Sequence, residues 1–191
     1  MRCIIGYGVD EYTLNCALLS AIQYQCVDVA ALLIDNGADF NANLRETHCH
    51  HSCWKYACGG WIYTIPYLRM VRLLLERGAD ANMVDAGDWS PLRASLKFDV
   101  KSGLAKLLLE YGADPNLIHA RTGETALMIA ALDARIDLVK LLLEHGADVT
   151  QVNHQGLSVL DMLGDDRYSA VRELCTQYIE CNQPGARPLL K

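Results

Sequence analysis

Val139-Lys140-Leu141-Leu142-Leu143-Glu144-His145-Gly146-Ala147-Asp148 is the stretch from which the fold can be read. An apolar block of helix-forming residues runs up to a glycine, and glycine enters the left-handed conformation that ends a helix without a Cβ clash. The same phrase occurs three more times. Ala30-Ala31-Leu32-Leu33-Ile34 precedes Gly37, Val71-Arg72-Leu73-Leu74-Leu75 precedes Gly78, and Ala105-Lys106-Leu107-Leu108-Leu109 precedes Gly112. Each glycine opens a Gly-Ala-Asp, and the spacings are 41, 34 and 34 residues. One helix-ending phrase at a nearly fixed period marks an internal repeat.

A second phrase recurs in phase with the first. Thr125-Ala126-Leu127-Met128-Ile129-Ala130 lies upstream of Gly146, and Ser90-Pro91-Leu92-Arg93-Ala94 lies upstream of Gly112. Looser versions are Cys16-Ala17-Leu18-Leu19-Ser20-Ala21, Ser52-Cys53-Trp54-Lys55-Tyr56-Ala57 and Ser158-Val159-Leu160-Asp161-Met162. These phrases resemble the ankyrin signature Thr-Pro-Leu-His-x-Ala. The resemblance covers roughly residues 10 to 181 in five copies. It implies an all-α ankyrin-repeat solenoid of helix-turn-helix units with short β-hairpin fingers. The copies are expected at 10–42, 43–83, 84–117, 118–151 and 152–183, as one domain between an N-terminal segment, 1–9, and a tail, 184–191.

Local chemistry agrees. Ser90, Thr125 and Ser158 stand where a helix needs an N-cap, since a hydroxyl can accept from an orphan first-turn amide. Pro91 follows one of them at a position where a missing N–H costs nothing. Two helices alone cannot cover their apolar faces, so stacked copies must build the core. The second copy is irregular: its 41-residue spacing exceeds the 33-residue family period and implies a longer finger and a longer interhelical turn. The signature histidine is replaced by Leu19, Lys55, Arg93, Met128 and Asp161, which predicts a less stable array than a consensus one. The last copy ends on a polar helix from Val171 to Ile179, as a terminal cap requires.

Composition narrows the function. Apolar residues make up 51% of the 191, enough for a continuous core, and charged ones 21%. Seventeen Lys plus Arg against 23 Asp plus Glu give a net charge of −6, with no basic stretch to meet a nucleic acid. No apolar run is long enough for a membrane span. The eight cysteines (Cys3, Cys16, Cys26, Cys49, Cys53, Cys58, Cys175 and Cys181) read as reduced thiols of a cytoplasmic or nuclear protein.

The densest reactive cluster, His48-Cys49-His50-His51-Ser52-Cys53 with Cys58, holds zinc-type ligands but no C-x2-C pair, so no metal site is expected. No oxyanion donor pair or phosphate loop accompanies it, which leaves no catalytic site, no cofactor and no small-molecule substrate. Ala170-Val171-Arg172-Glu173-Leu174-Cys175-Thr176-Gln177-Tyr178-Ile179 resembles the start of a SOCS box. It also falls in phase as the second helix of the fifth copy, which is the simpler reading. Asn41, Asn82 and Asn116 stand where the resemblance implies asparaginyl hydroxylation, and equally where a turn asparagine bonds its own backbone.

The expected function is therefore that of a non-catalytic adaptor or scaffold. It would bind another protein or peptide on its concave and finger surface, without nucleic acid or membrane. The alternative is a substrate-recognition subunit of a cullin-type ubiquitin ligase. The resemblance places contact residues just before each capping residue and seven or eight residues after it. Those positions hold Tyr12 and Tyr24 in the first copy, Trp89, Lys97 and Phe98 in the third, and Arg121, Glu124 and Asp133 in the fourth.

Overall fold

A computed structural model of the chain describes residues 10–41, 57, 66–84, 89–98 and 103–182. The chain divides into two compact units, Met1–Ala113 and Asp114–Lys191. Among the described residues the first unit holds α1 (Glu11–Gln23), α2 (Val27–Asp35), α3 (Pro66–Glu76), α4 (Pro91–Phe98) and α5 (Gly103–Glu110). The second holds α6 (Ala126–Leu132), α7 (Ile136–Glu144), α8 (Val159–Met162) and α9 (Ser169–Asn182), with a 3-10 turn at Asp166–Tyr168 before α9. The fold is an all-α ankyrin solenoid.

The repeated phrases do what their chemistry requires. Thr125 Oγ1 accepts from the Met128 amide, Ser90 Oγ from the Arg93 amide and Ser158 Oγ from the Asp161 amide. Asp161 answers by accepting from the Ser158 amide, which completes a capping box. At the other end, Gly37, Gly78, Gly112 and Gly146 all take φ between 84° and 96°. Two amides then reach back to the helix: Gly146 N–H to Leu143 O and Ala147 N–H to Leu142 O, repeated at each earlier copy. The aspartate after each of these alanines closes the next turn. Asp39, Asp80, Asp114 and Asp148 accept through Oδ1 from the amides of Asn41, Asn82, Asn116 and Thr150, each at 2.8 Å.

Packing follows the repeat. In the first unit α1 packs on α2 and α4 on α5, while the second helices form a row, α2 against α3 and α3 against α5. In the second unit α6 packs on α7 and α8, and α9 packs on α7. Leu18, Ile22, Met70, Leu74 and Leu108 are fully buried in the first unit, as are Leu127, Met128, Leu138, Leu142 and Leu163 in the second. Each such leucine contributes about 1.5–3 kcal/mol by leaving water. Arg77 and Asp35 form an ion pair across 42 residues, and the Arg172 guanidinium donates to Leu163 O beyond the end of α8.

Two features differ from the sequence reading. The β-hairpin fingers are turns: among the described residues the only pairing is an isolated antiparallel bridge, Val152 with Ser158. In the second unit the fingers keep only short cross-turn bonds, His119 N–H to Glu124 O and Asn153 N–H to Leu157 O, too few to make a strand. The N-cap of helix α1 also lies six residues ahead of Cys16, at Asp10, whose Oδ1 accepts from the Thr13 amide at 2.7 Å. Tyr12 thus lies on a helix and not on a finger.

Candidate protein-binding surfaces

In the first unit, α1 carries an aromatic residue near each end. Tyr12 is 53% exposed in its first turn and Tyr24, the C-cap, is 75% exposed. The following Gln25 takes φ 57°, so the chain reverses at once into α2 and Tyr24 stands at the corner. Rings at such places offer area with few torsions to freeze.

Trp89 precedes the capping Ser90 and is half-buried. The Arg93 guanidinium and the Lys97 ammonium lie 5.8 and 5.3 Å from its ring centroid. Arg93 and Lys97, four apart, share one face of α4, and Trp89 lies just ahead of the helix beside that face. Cation–π attraction thereby holds two positive charges beside one indole. Lys97 is otherwise exposed, while the neighbouring face of α4, with Leu92, Ala94, Ser95 and Leu96, is buried. Phe98 closes α4, and its side chain lies outside the described residues.

In the second unit Arg121 and Asp133 are exposed, and Glu124 is half-buried. Glu124 has a structural task. The Thr122 hydroxyl donates to Glu124 Oε2 at 2.9 Å, so Thr122 Oγ1 is left to accept from His119 Nδ1, also at 2.9 Å. The buried imidazole therefore carries its proton on Nδ1. The neighbouring finger joins through the His154 amide, which donates to Thr122 O at 3.0 Å. Asp133 caps α6 with its backbone amide, ahead of Ala134 at φ 53°.

The structure adds Ile118 and Val152, both about half exposed at the same place in successive fingers. Their 34-residue separation was readable in the sequence, but they lie outside the positions the resemblance singles out. Val171 and Cys175 of α9 are buried, and burial raises the Cys175 thiol to about 11. These two residues belong to the packing of the terminal helix α9. The His48–Cys53 cluster, Cys58, most of the irregular second copy and residues 184–191 lie outside the described residues. Among the described residues no three His, Cys, Asp or Glu side chains gather as metal ligands, and no helix is long and apolar enough to cross a membrane.

The family model for ankyrin repeats, in three copies, matches residues 61–153 and 94–184, together more than half of the chain. No curated protein matches it significantly.

Proposed function

This chain belongs to the ankyrin-repeat family, whose repeats are generally protein–protein interaction modules, and from that premise we propose that it is a non-catalytic adaptor or scaffold. It takes a partner protein or peptide on the outward faces of its first helices and finger turns. The observation that carries the reading is the exposure of the α1 aromatics together with the Trp89 ring braced by Arg93 and Lys97. Aromatic and arginine side chains of this kind supply most binding hot spots. Tyr12, Tyr24, Trp89, Lys97 and Phe98 form the contact set in the first unit, and Arg121, Glu124 and Asp133 contribute separately in the second. The partner is met in the cytoplasm or nucleus, where eight thiols stay reduced.

The test is affinity capture from a cell extract with the full chain, the Trp89→Ala/Phe98→Ala double variant and Tyr24→Ala, each checked for melting temperature. Loss of a partner with melting unchanged supports the reading. Undiminished capture by all variants overturns the contact set, and the absence of any partner overturns the function.

A further inference from the structure

The residue eight places before the glycine of each copy is Val29, Met70, Leu104 and Leu138. Met70, Leu104 and Leu138 are buried, whereas Val29 is 50% exposed. Leu32, one turn further along α2, is 56% exposed, and Leu33 beside it is half-buried. These three stand at i, i+3 and i+4, so they form one apolar stripe. In the first unit the equivalent residues of α3 and α5 lie on helices that pack against the second helix of the copy before. The stripe on α2 thus has the spacing that receives a helix, and it is left open.

The charge around the stripe selects its occupant. Residues 10–41 carry Asp10, Glu11, Asp28, Asp35 and Asp39, all exposed, and not one Lys, Arg or His. The helical period puts Asp28 and Asp35 on one line beside Leu32. Arg77 pairs with Asp35, and Asp28 stands exposed in the first turn of α2. We propose that this face of α2 docks a basic amphipathic helix of a partner protein. The apolar side of that helix covers Val29, Leu32 and Leu33, and a row of lysine or arginine runs along Asp28 and Asp35. Complementary charge brings such a helix in and fixes its register, and the same carboxylates turn acidic helices away. A second copy of this chain is the poorer occupant, since it would set one net charge of −6 against another. None of these residues belongs to the contact set proposed above, so the two surfaces stand or fall separately.

Titration of the full chain with three synthetic peptides tests the proposal: an amphipathic leucine–lysine helix, the same sequence with glutamate for lysine, and a scrambled leucine–lysine sequence. Only the first should bind, and more weakly as salt rises. Leu32→Gln removes apolar contact without a change of charge and should weaken binding at least about fivefold. Asp28→Lys should weaken it at least about threefold. Asp137 holds the place of Asp28 in the fourth copy, next to the buried Leu138, so Asp137→Lys makes the same charge change where the stripe is closed. That variant should bind like wild type. Hydrogen exchange on the unmodified chain needs no variant: saturating peptide should slow the amides of α2 and leave those of α7 unchanged. Failure of the first peptide to bind overturns the proposal, as does equal binding of the glutamate or scrambled peptide. Undiminished binding by Leu32→Gln, equal weakening by Asp137→Lys, or unchanged exchange in α2 overturns it too. Light scattering should find a monomer; a dimer that Leu32→Gln dissociates gives the face to a second copy and overturns the proposal as well.

Discussion

Gly123 offers the sharpest test of how the fingers are held. It sits at φ 71°, and a Cβ added there would lie 2.6 Å from both Cδ2 and the backbone nitrogen of His154, and 3.0 Å from the carbonyl carbon of Asn153. The ring could swing aside; the backbone could not, because the His154 amide is bonded to Thr122 O and the Gly123 amide to His119 O at 2.7 Å. Gly123→Ala must therefore push two fingers apart. A left-handed alanine costs about 1–2 kcal/mol, overpacking about 1–3 kcal/mol, and a lost hydrogen bond about 1 kcal/mol. We expect a total of about 3–6 kcal/mol. Gly156→Ala is the control: φ is 75°, but nothing lies within 4 Å of the added atom, so only the conformational cost applies. Urea unfolding followed by circular dichroism should separate the two variants by at least about 2 kcal/mol. Equal midpoints would refute the argument that close approach, and not backbone angle, is what Gly123 serves.

Three further outcomes are expected. Ala134→Gly relieves a left-handed alanine, and although it loosens the unfolded chain it should stabilise by up to about 1 kcal/mol in the same urea assay. Leu142→Ala removes a fully buried side chain of α7 and should cost about 2–5 kcal/mol, visible as a lowered melting temperature. Asp148 is held below the ordinary carboxylate range, first by the Thr150 hydroxyl and then by the Thr150 amide. Because its folded-state value is the lower one, its contribution is present above the unfolded value near 3.9 and is lost as pH falls through the folded value. The melting advantage of wild type over Asp148→Ala should therefore hold at neutral pH and shrink in strong acid, and a constant difference would contradict it.

Much of the fold was legible because its signals are local. A hydroxyl before an apolar run and a glycine after it fix the two ends of a helix whatever surrounds them, and Thr125, Ser158 and Gly146 behave accordingly. The early start of α1 was obscured because the cap at Asp10 lies upstream of the repeated phrase. Gln25 and Ala134 hid the interhelical turns, since neither residue type advertises a left-handed angle. Strands were expected from the family's fingers, whereas the described fingers of the second unit stop at short cross-turn bonds, His119 N–H to Glu124 O and Asn153 N–H to Leu157 O, and one isolated bridge. Among the surface positions, Tyr12 and Tyr24 are exposed, but no pattern in the sequence distinguishes a Glu124 that meets a partner from one that braces Thr122.

The finger asparagines bear on what kinds of length change the chain tolerates. The Asn82 amide nitrogen donates to Gly112 O, and Asn116 donates to Gly146 O while accepting from the Asp148 amide. Each such tie joins equivalent points of adjoining copies, 30 or 32 residues apart. Duplicating or deleting one whole period leaves every asparagine facing a carbonyl of the right kind. Removing a single finger residue does not, because the amide then meets its neighbour out of phase. A lineage of this protein should accordingly vary by whole copies, with small indels gathered away from residues 112–118 and 146–152.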